Sequence, residues 1–229
     1  MDKRPGGVMA RRQLHFIWLL DTSGSMNVDG KIQALNTAIH ATIPLLQSAA
    51  RDNANVDLLV RAITFSSGAR WHIAEPTPAA LLRWTDVAAQ GHTDMGAALA
   101  LAAQAMKVPP MPERAVSPAL VLVTDGHVTD DFDAGLAALM AERWGREAIR
   151  HAIAIGRDVS TQALHKFIGN PEIEPLQANN PDALVQQLRW ASRSGVESAS
   201  QMLDADRRKR LHEAQQVSQA SQGGGAVEW

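Results

Sequence analysis

Two short apolar runs, Leu14 to Leu20 and Ala119 to Thr124, each stop abruptly on an aspartate, Asp21 and Asp125. A continuous apolar run of six or seven residues bounded by turn chemistry marks a strand buried on both faces, as strands of parallel sheets are. Helical periodicity follows the first run: Ile32, Leu35, Ile39, Ile43 and Leu46 predict an amphipathic helix over about Lys31 to Ala50, with Pro44 expected to kink or shorten it. Val56 to Phe65 and Ala69 to Ile73, joined by Ser66-Ser67-Gly68, read as an antiparallel edge hairpin. Further on, Met95 to Met106 and Phe132 to Arg146 carry helical patterns, and His151 to Gly156 reads as a strand. Ser160 is placed to cap a short helix holding Leu164, Phe167 and Ile168. Ile173 to Leu176 reads as a last strand, and Pro181 opens a final helix through Leu184, Leu188 and Trp190. Strand and helix alternate almost throughout. The predicted fold class is therefore α/β, a doubly wound, mostly parallel central sheet with one antiparallel edge strand and helices on both faces.

Open sheets of this kind bind ligands at the carboxyl ends of their strands. Asp21-Thr22-Ser23-Gly24-Ser25 delivers short oxygen-bearing side chains there, Asp125-Gly126 ends the second run, and Thr93 of Gly91-His92-Thr93-Asp94 is presented where a helix begins. Taken singly, each piece is an ordinary cap or turn residue. Together, Asp21, Ser23, Ser25, Thr93 and Asp125 supply two carboxylates and three hydroxyls, a donor set for a hard divalent cation: Mg²⁺ first, with Mn²⁺ and Ca²⁺ also compatible. The chain has no cysteine, which excludes disulfides, thiolate nucleophiles and cysteine-based zinc or iron–sulfur sites.

Asp-x-Ser-x-Ser, a distal Thr and a distal Thr-Asp-Gly together resemble the metal-ion-dependent adhesion site of von Willebrand factor A domains. That resemblance implies one metal held directly by Ser23, Ser25 and Thr93, with Asp21 and Asp125 close by or bridging through water. It also implies an open coordination position that accepts a Glu or Asp from a partner protein. One departure is His92, where the family usually has glycine; it reads as a solvent-facing loop residue. Within the wider family, Leu19-Leu20-Asp21-Thr22-Ser23-Gly24-Ser25-Met26, Ile63-Thr64-Phe65, Leu122-Val123-Thr124-Asp125-Gly126 with Thr129-Asp130-Asp131, and Leu188-Arg189-Trp190-Ala191-Ser192 are similar to TerY-like proteins of tellurite-resistance and stress-response loci. That similarity implies an adaptor working with a protein kinase and a PP2C-type phosphatase.

Rival chemistries fit less well. An aspartyl-phosphate enzyme needs a second carboxylate two residues after the first, and that position is Ser23. No Gly-x-Ser-x-Gly elbow, no phosphate-binding loop with its lysine and no His-Glu-x-x-His occurs. With no base set beside a nucleophile, the expected role is binding and not catalysis; a metal-dependent phosphohydrolase is the alternative from another class. An adaptor for an AAA+ ATPase is the alternative within binding, and a scaffold that has lost metal use comes third.

A net charge of −2 over 229 residues provides no basic field for nucleic acid, and no segment approaches the roughly 20 apolar residues that span a bilayer. The expected setting is cytoplasmic. Residues 1–12 read as a flexible basic arm, 13–195 as the domain, and 196–229 as a polar tail, partly helical or disordered, with Arg207-Arg208-Lys209-Arg210 as a solvated face and a glycine-rich end.

Overall fold

The computed structural model describes residues 11–53, 56–156 and 159–222. Most of the expected amino-terminal arm, the glycine-rich end and the side chains of the Arg207–Arg210 cluster lie outside what is described.

The chain begins with β1 (Arg12–Asp21), a 3-10 segment (Gly24–Gly30) and α1 (Lys31–Asp52), followed by the hairpin of β2 (Val56–Ser66) and β3 (Gly68–Pro78). After an irregular connection come α2 (Met95–Ala105), β4 (Ala119–Thr124), α3 (Phe132–Ala141), α4 (Arg143–Arg146) and β5 (Ile149–Ile155). The chain closes with α5 (Gln162–Ile168), β6 (Leu176–Ala178) and α6 (Pro181–Gln222). The sheet has the order β3-β2-β1-β4-β5-β6. Only β3 runs antiparallel, on one rim, with register irregularities around Ala62 and with Pro76 and Pro78 near its end. This is the doubly wound α/β architecture expected from the sequence.

Period-two alternation in the apolar runs divides the core into two layers. Leu14, Phe16, Trp18 and Leu20 of β1, with Val121 and Val123 of β4, face α1 and α6, where Leu35, Ile39, Leu184 and Leu188 meet them. Ile17 and Leu19, with Leu120 and Leu122, face α2, α3 and α5, against Leu99, Leu139, Leu164 and Phe167. Each of the large side chains contributes about 1.5–3 kcal/mol by leaving water. On the second face the helices cross closely: a Cβ at Gly135 would stand 2.2 Å from the Gly96 carbonyl oxygen, so only glycine permits that approach.

Several local expectations shift. Pro44 lies inside α1 without shortening it, and the helix continues to Asp52. The helix expected over Phe132 to Arg146 breaks at Glu142, whose extended ψ of 141° turns the chain so that Trp144 is buried. Ser160 is not the cap of α5; Thr161 holds that position and makes no side-chain capping bond. The last strand forms at Leu176–Ala178, while Ile173 stays exposed. The boundary drawn at 195 falls within α6, and Val196 and Ala199 beyond it are buried in the α1–α6 layer. Arg12, assigned to the arm, is the first residue of β1.

Candidate metal centre

In the order β3-β2-β1-β4-β5-β6, chain direction across the sheet reverses between β1 and β4, which lie side by side with Leu20 opposite Val123. A crevice opens at such a switch point, and strand topology alone brings Asp21 and Asp125 to it.

Three backbone bonds and one from a hydroxyl fix the loop after β1. Thr22 donates its N–H and its hydroxyl to the Phe65 carbonyl at 2.8 and 3.1 Å, its own carbonyl accepts Gln90 N–H at 2.8 Å, and Gly24 N–H reaches the Gly91 carbonyl at 2.9 Å. The irregular connection before α2 is held to α1 by Asn36. Its amide oxygen accepts from Trp84 Nε1 and Val87 N–H, both at 3.0 Å, and its amide nitrogen donates to the Val87 carbonyl at 2.9 Å. Asn27 adds a bond to the Ala89 carbonyl at 2.9 Å. A long loop without regular structure is thereby made a fixed support for Thr93.

All five expected residues meet here. Ser23 and Ser25 hydroxyls are 3.0 Å apart, and Ser25 donates to Asp125 Oδ1 at 2.7 Å. Asp21 is buried; it accepts from Ser23 N–H at 2.8 Å through one oxygen and from the Thr124 hydroxyl at 2.5 Å through the other. Burial pushes the Asp21 carboxyl above its ordinary range, and the nearby Asp125 adds to the rise; hydrogen bonds from Ser23 and Thr124 oppose it. Gly126 connects Thr93 to the cluster: a Cβ there would lie 3.3 Å from Thr93 Oγ1 and 3.7 Å from Asp21 Oδ2. The space glycine leaves is lined by oxygen. His92 is exposed and contributes its backbone N–H to Ser67 Oγ, as a loop residue would.

Some of the supporting residues were not part of the expected set. Thr93 N–H donates to Thr129 Oγ1 at 2.9 Å, Thr129 N–H returns to the Thr93 carbonyl at 3.1 Å, and the Thr129 hydroxyl donates to Asp94 Oδ1 at 3.0 Å. Asp130 accepts from Gly96 and Ala97 N–H at 2.9 and 2.7 Å, capping α2 from a different loop. The loop after β4 and the loop before α2 are thus one unit. Lys31, the first residue of α1, places Nζ 2.6 Å from Asp125 Oδ2. Neither contact has a local signature, since the partners are 33 to 94 residues apart.

The donor set is entirely oxygen, which suits a hard cation and argues against a thiophilic one. Among the described residues no group of three or more His, Asp or Glu is placed to hold a metal; here the hydroxyls supply the rest of the set.

A model of the von Willebrand factor type A domain matches residues 16–127, the stretch that spans all five residues. Among solved structures, the fold is similar to a von Willebrand factor type A protein from Catenulispora acidiphila at 18% identity, over 81% of this chain and 43% of that one, with a TM-score of 0.62. It is similar to the pilus adhesin SpaC from Lactobacillus rhamnosus GG at 15% identity, over 82% and 31%, with a TM-score of 0.64. Proximal thread matrix protein 1 from the mussel byssus, solved with a zinc-occupied MIDAS motif, matches at 17% identity over 80% and 48%, with a TM-score of 0.60. At such identities the likeness concerns the fold alone, and the chain spans less than half the length of each of these proteins. No curated protein matches the chain in sequence. Among the described residues no helix is long and apolar enough to cross a membrane.

Proposed function

Because residues 16–127 match a model of the von Willebrand factor type A domain, we propose that this chain belongs to that family and is a metal-dependent protein-binding adaptor. In this reading a divalent cation, Mg²⁺ in the first place, is held by Ser23, Ser25 and Thr93, with Asp21 and Asp125 close by. The mussel protein with a metal-occupied motif on the same fold supports a metal here. The observation that carries the proposal is the convergence of two strand-end carboxylates and three hydroxyls on the space beside Gly126.

A bound cation would supply a Lewis-acidic point that accepts a carboxylate oxygen from outside. The chain's own part is to orient the ligands. Thr124 and Ser23 N–H fix Asp21, Ser25 fixes one oxygen of Asp125, and Thr129 with Asp130 fixes the loop that presents Thr93. Three of the five site residues offer neutral hydroxyls, so a cation held directly by them keeps affinity for an anionic ligand. The partner is accordingly a protein offering Glu or Asp. The similarity to TerY-like proteins makes a protein kinase and a PP2C-type phosphatase of a bacterial stress-response module the first candidates to try, in a cytoplasmic setting and without turnover by this chain.

The test has two parts. Mg²⁺ at about 100 times its dissociation constant should raise folding stability by about 2.7 kcal/mol, and Asp125→Ala should abolish that rise without unfolding the domain. Pull-down should recover a partner in Mg²⁺ and lose it in chelator. A rise undiminished in Asp125→Ala would show that Asp125 is not part of the site, no rise in the unaltered chain would remove the metal centre, and phosphate release from phosphoesters faster than in Asp21→Ala would favour the hydrolase alternative.

A further inference from the structure

Helices tolerate cations poorly at their first residue, where the macrodipole is positive. α1 begins with Lys31, has no acidic residue in its first turn, and is preceded by Gly30 at φ 71° with no side-chain cap. Asp29, at φ 55°, is the one non-glycine residue with a positive φ among the described residues, so two successive left-handed positions turn the chain to bring Lys31 in. Local rules broken without local compensation point to a function. Here the compensation lies 94 residues away, in Asp125. Its carboxylate has no solvent exposure, and both oxygens are engaged, one by the Ser25 hydroxyl at 2.7 Å and one by the Lys31 ammonium at 2.6 Å. The ammonium keeps 22% exposure, and the pair lines a cavity of about 500 Å³ with Asp29, Gly156, Asn180 and Leu184. A ligand approaching the site from that side meets Lys31.

We propose that Lys31 is a built-in counter-cation of the site that weakens binding of the metal alone and strengthens binding of an external carboxylate to the metal-loaded site. The inference rests on the metal-centre reading and adds the rule by which that centre selects its ligand. Asp21, Asp125 and Lys31 together carry one negative charge, and a divalent cation turns the total to one positive. One external carboxylate brings it to neutrality. Without Lys31 the cation alone would already be neutralised, and a carboxylate ligand would leave the site negative. Lys31 therefore weakens the binary complex with metal and raises the affinity of the loaded site for a carboxylate, while metal and carboxylate raise each other's affinity reciprocally. A metal-loaded site without an acidic ligand is the state this charge arrangement disfavours.

The probes are Mn²⁺, followed by electron paramagnetic resonance, and acetate balanced against chloride at constant ionic strength. For the unaltered chain, acetate should raise Mn²⁺ affinity by about five-fold, within the usual range of coupling between sites. Lys31→Met should bind Mn²⁺ alone about ten-fold more tightly, the scale of one charge interaction largely screened by water, and should need a higher acetate concentration for the same gain. Lys31→Gln provides the same neutralisation if the methionine variant does not fold. Lys31→Arg, which keeps the charge, should behave as the unaltered chain. If the neutral variants reach the same gain at the same acetate concentration, or bind Mn²⁺ no more tightly than the unaltered chain, the role of Lys31 is overturned while the metal centre stands. If the unaltered chain does not bind Mn²⁺ at all, the metal centre itself falls, and this inference with it.

Discussion

The ends of β1 and β4 deliver the same side chain to the same crevice and treat it in opposite ways. Asp21 is buried among neutral donors, a hydroxyl and a backbone N–H, and its carboxyl is pushed upward by burial. Asp125 is equally shielded but faces an ammonium at 2.6 Å. Two like charges set close together would oppose each other, and the fold compensates only one of them internally. Asp21 is held by hydrogen bonds from neutral donors, whereas Asp125 has a counter-charge in Lys31. The difference suggests that the carboxylates are not interchangeable parts of a symmetric clamp.

The largest expected effect sets the pH range in which this contrast can be examined. His15, buried in β1, has its pKa lowered from 6.5 to about 4, first by burial and then by the Arg61 charge. The folded chain keeps the ring neutral, so the unfolded chain takes up the proton first. Stability from His15 is complete above pH 6.5 and is lost progressively as pH falls toward 4, reaching a deficit of about 3 kcal/mol. Urea unfolding from pH 7 to pH 4 should show that loss, and His15→Leu should flatten it. An unflattened slope would assign the acid limb to other groups, such as His151, whose pKa burial also lowers.

Next in size is the metal. Asp21→Asn and Asp125→Asn should both remove the stabilisation of about 2.7 kcal/mol that saturating Mg²⁺ confers, measured as the shift in unfolding midpoint between Mg²⁺ and chelator. Survival of the shift in one variant alone would show that the metal engages only the other strand end.

In chelator the two variants should part in sign. Asp125→Asn leaves the Lys31 ammonium beside a neutral amide and should cost about 1 kcal/mol, a value reduced by the partial exposure of the lysine. Asp21→Asn removes a desolvated charge at constant shape and should be neutral or gain up to about 1 kcal/mol. Equal losses in both would end the contrast between the strand ends.

Smallest in its effect on the metal-free fold is Thr93→Ala. It should weaken Mn²⁺ binding by about ten-fold, or about 1.4 kcal/mol, and change metal-free stability by less than about 0.5 kcal/mol, because the loop is fixed chiefly through its backbone to Thr129. A stability loss exceeding the binding loss would make Thr93 a packing residue.

Much of this was legible in the sequence because it depends on chain order. Leu14–Leu20 and Ala119–Thr124 announce buried parallel strands, and residues directly after such strands must emerge at the carboxyl edge, so the positions of Asp21, Ser23, Ser25 and Asp125 follow from chain order alone. What stayed hidden depends on proximity between distant segments. Lys31 read only as a helix start, since its partner is 94 residues away. Thr129 and Asp130 stood in view as a motif, but their capping of the Thr93 loop becomes visible only once α2 and the loop after β4 are neighbours. The break at Glu142 was missed for a different reason: helical periodicity continues through it, and burial of Trp144 overrides the local pattern.

The rims of the sheet carry a consequence of their own. On one side β3 runs antiparallel, loses register with β2 around Ala62, and ends among Pro76 and Pro78; on the other, β6 is three residues long. Prolines, irregular pairing and brevity are the features that deny a neighbouring chain a row of free amides and carbonyls to zip onto. Both margins are thereby poor templates for strand addition, so contacts between this domain and another chain would fall to side chains and not to a free backbone edge.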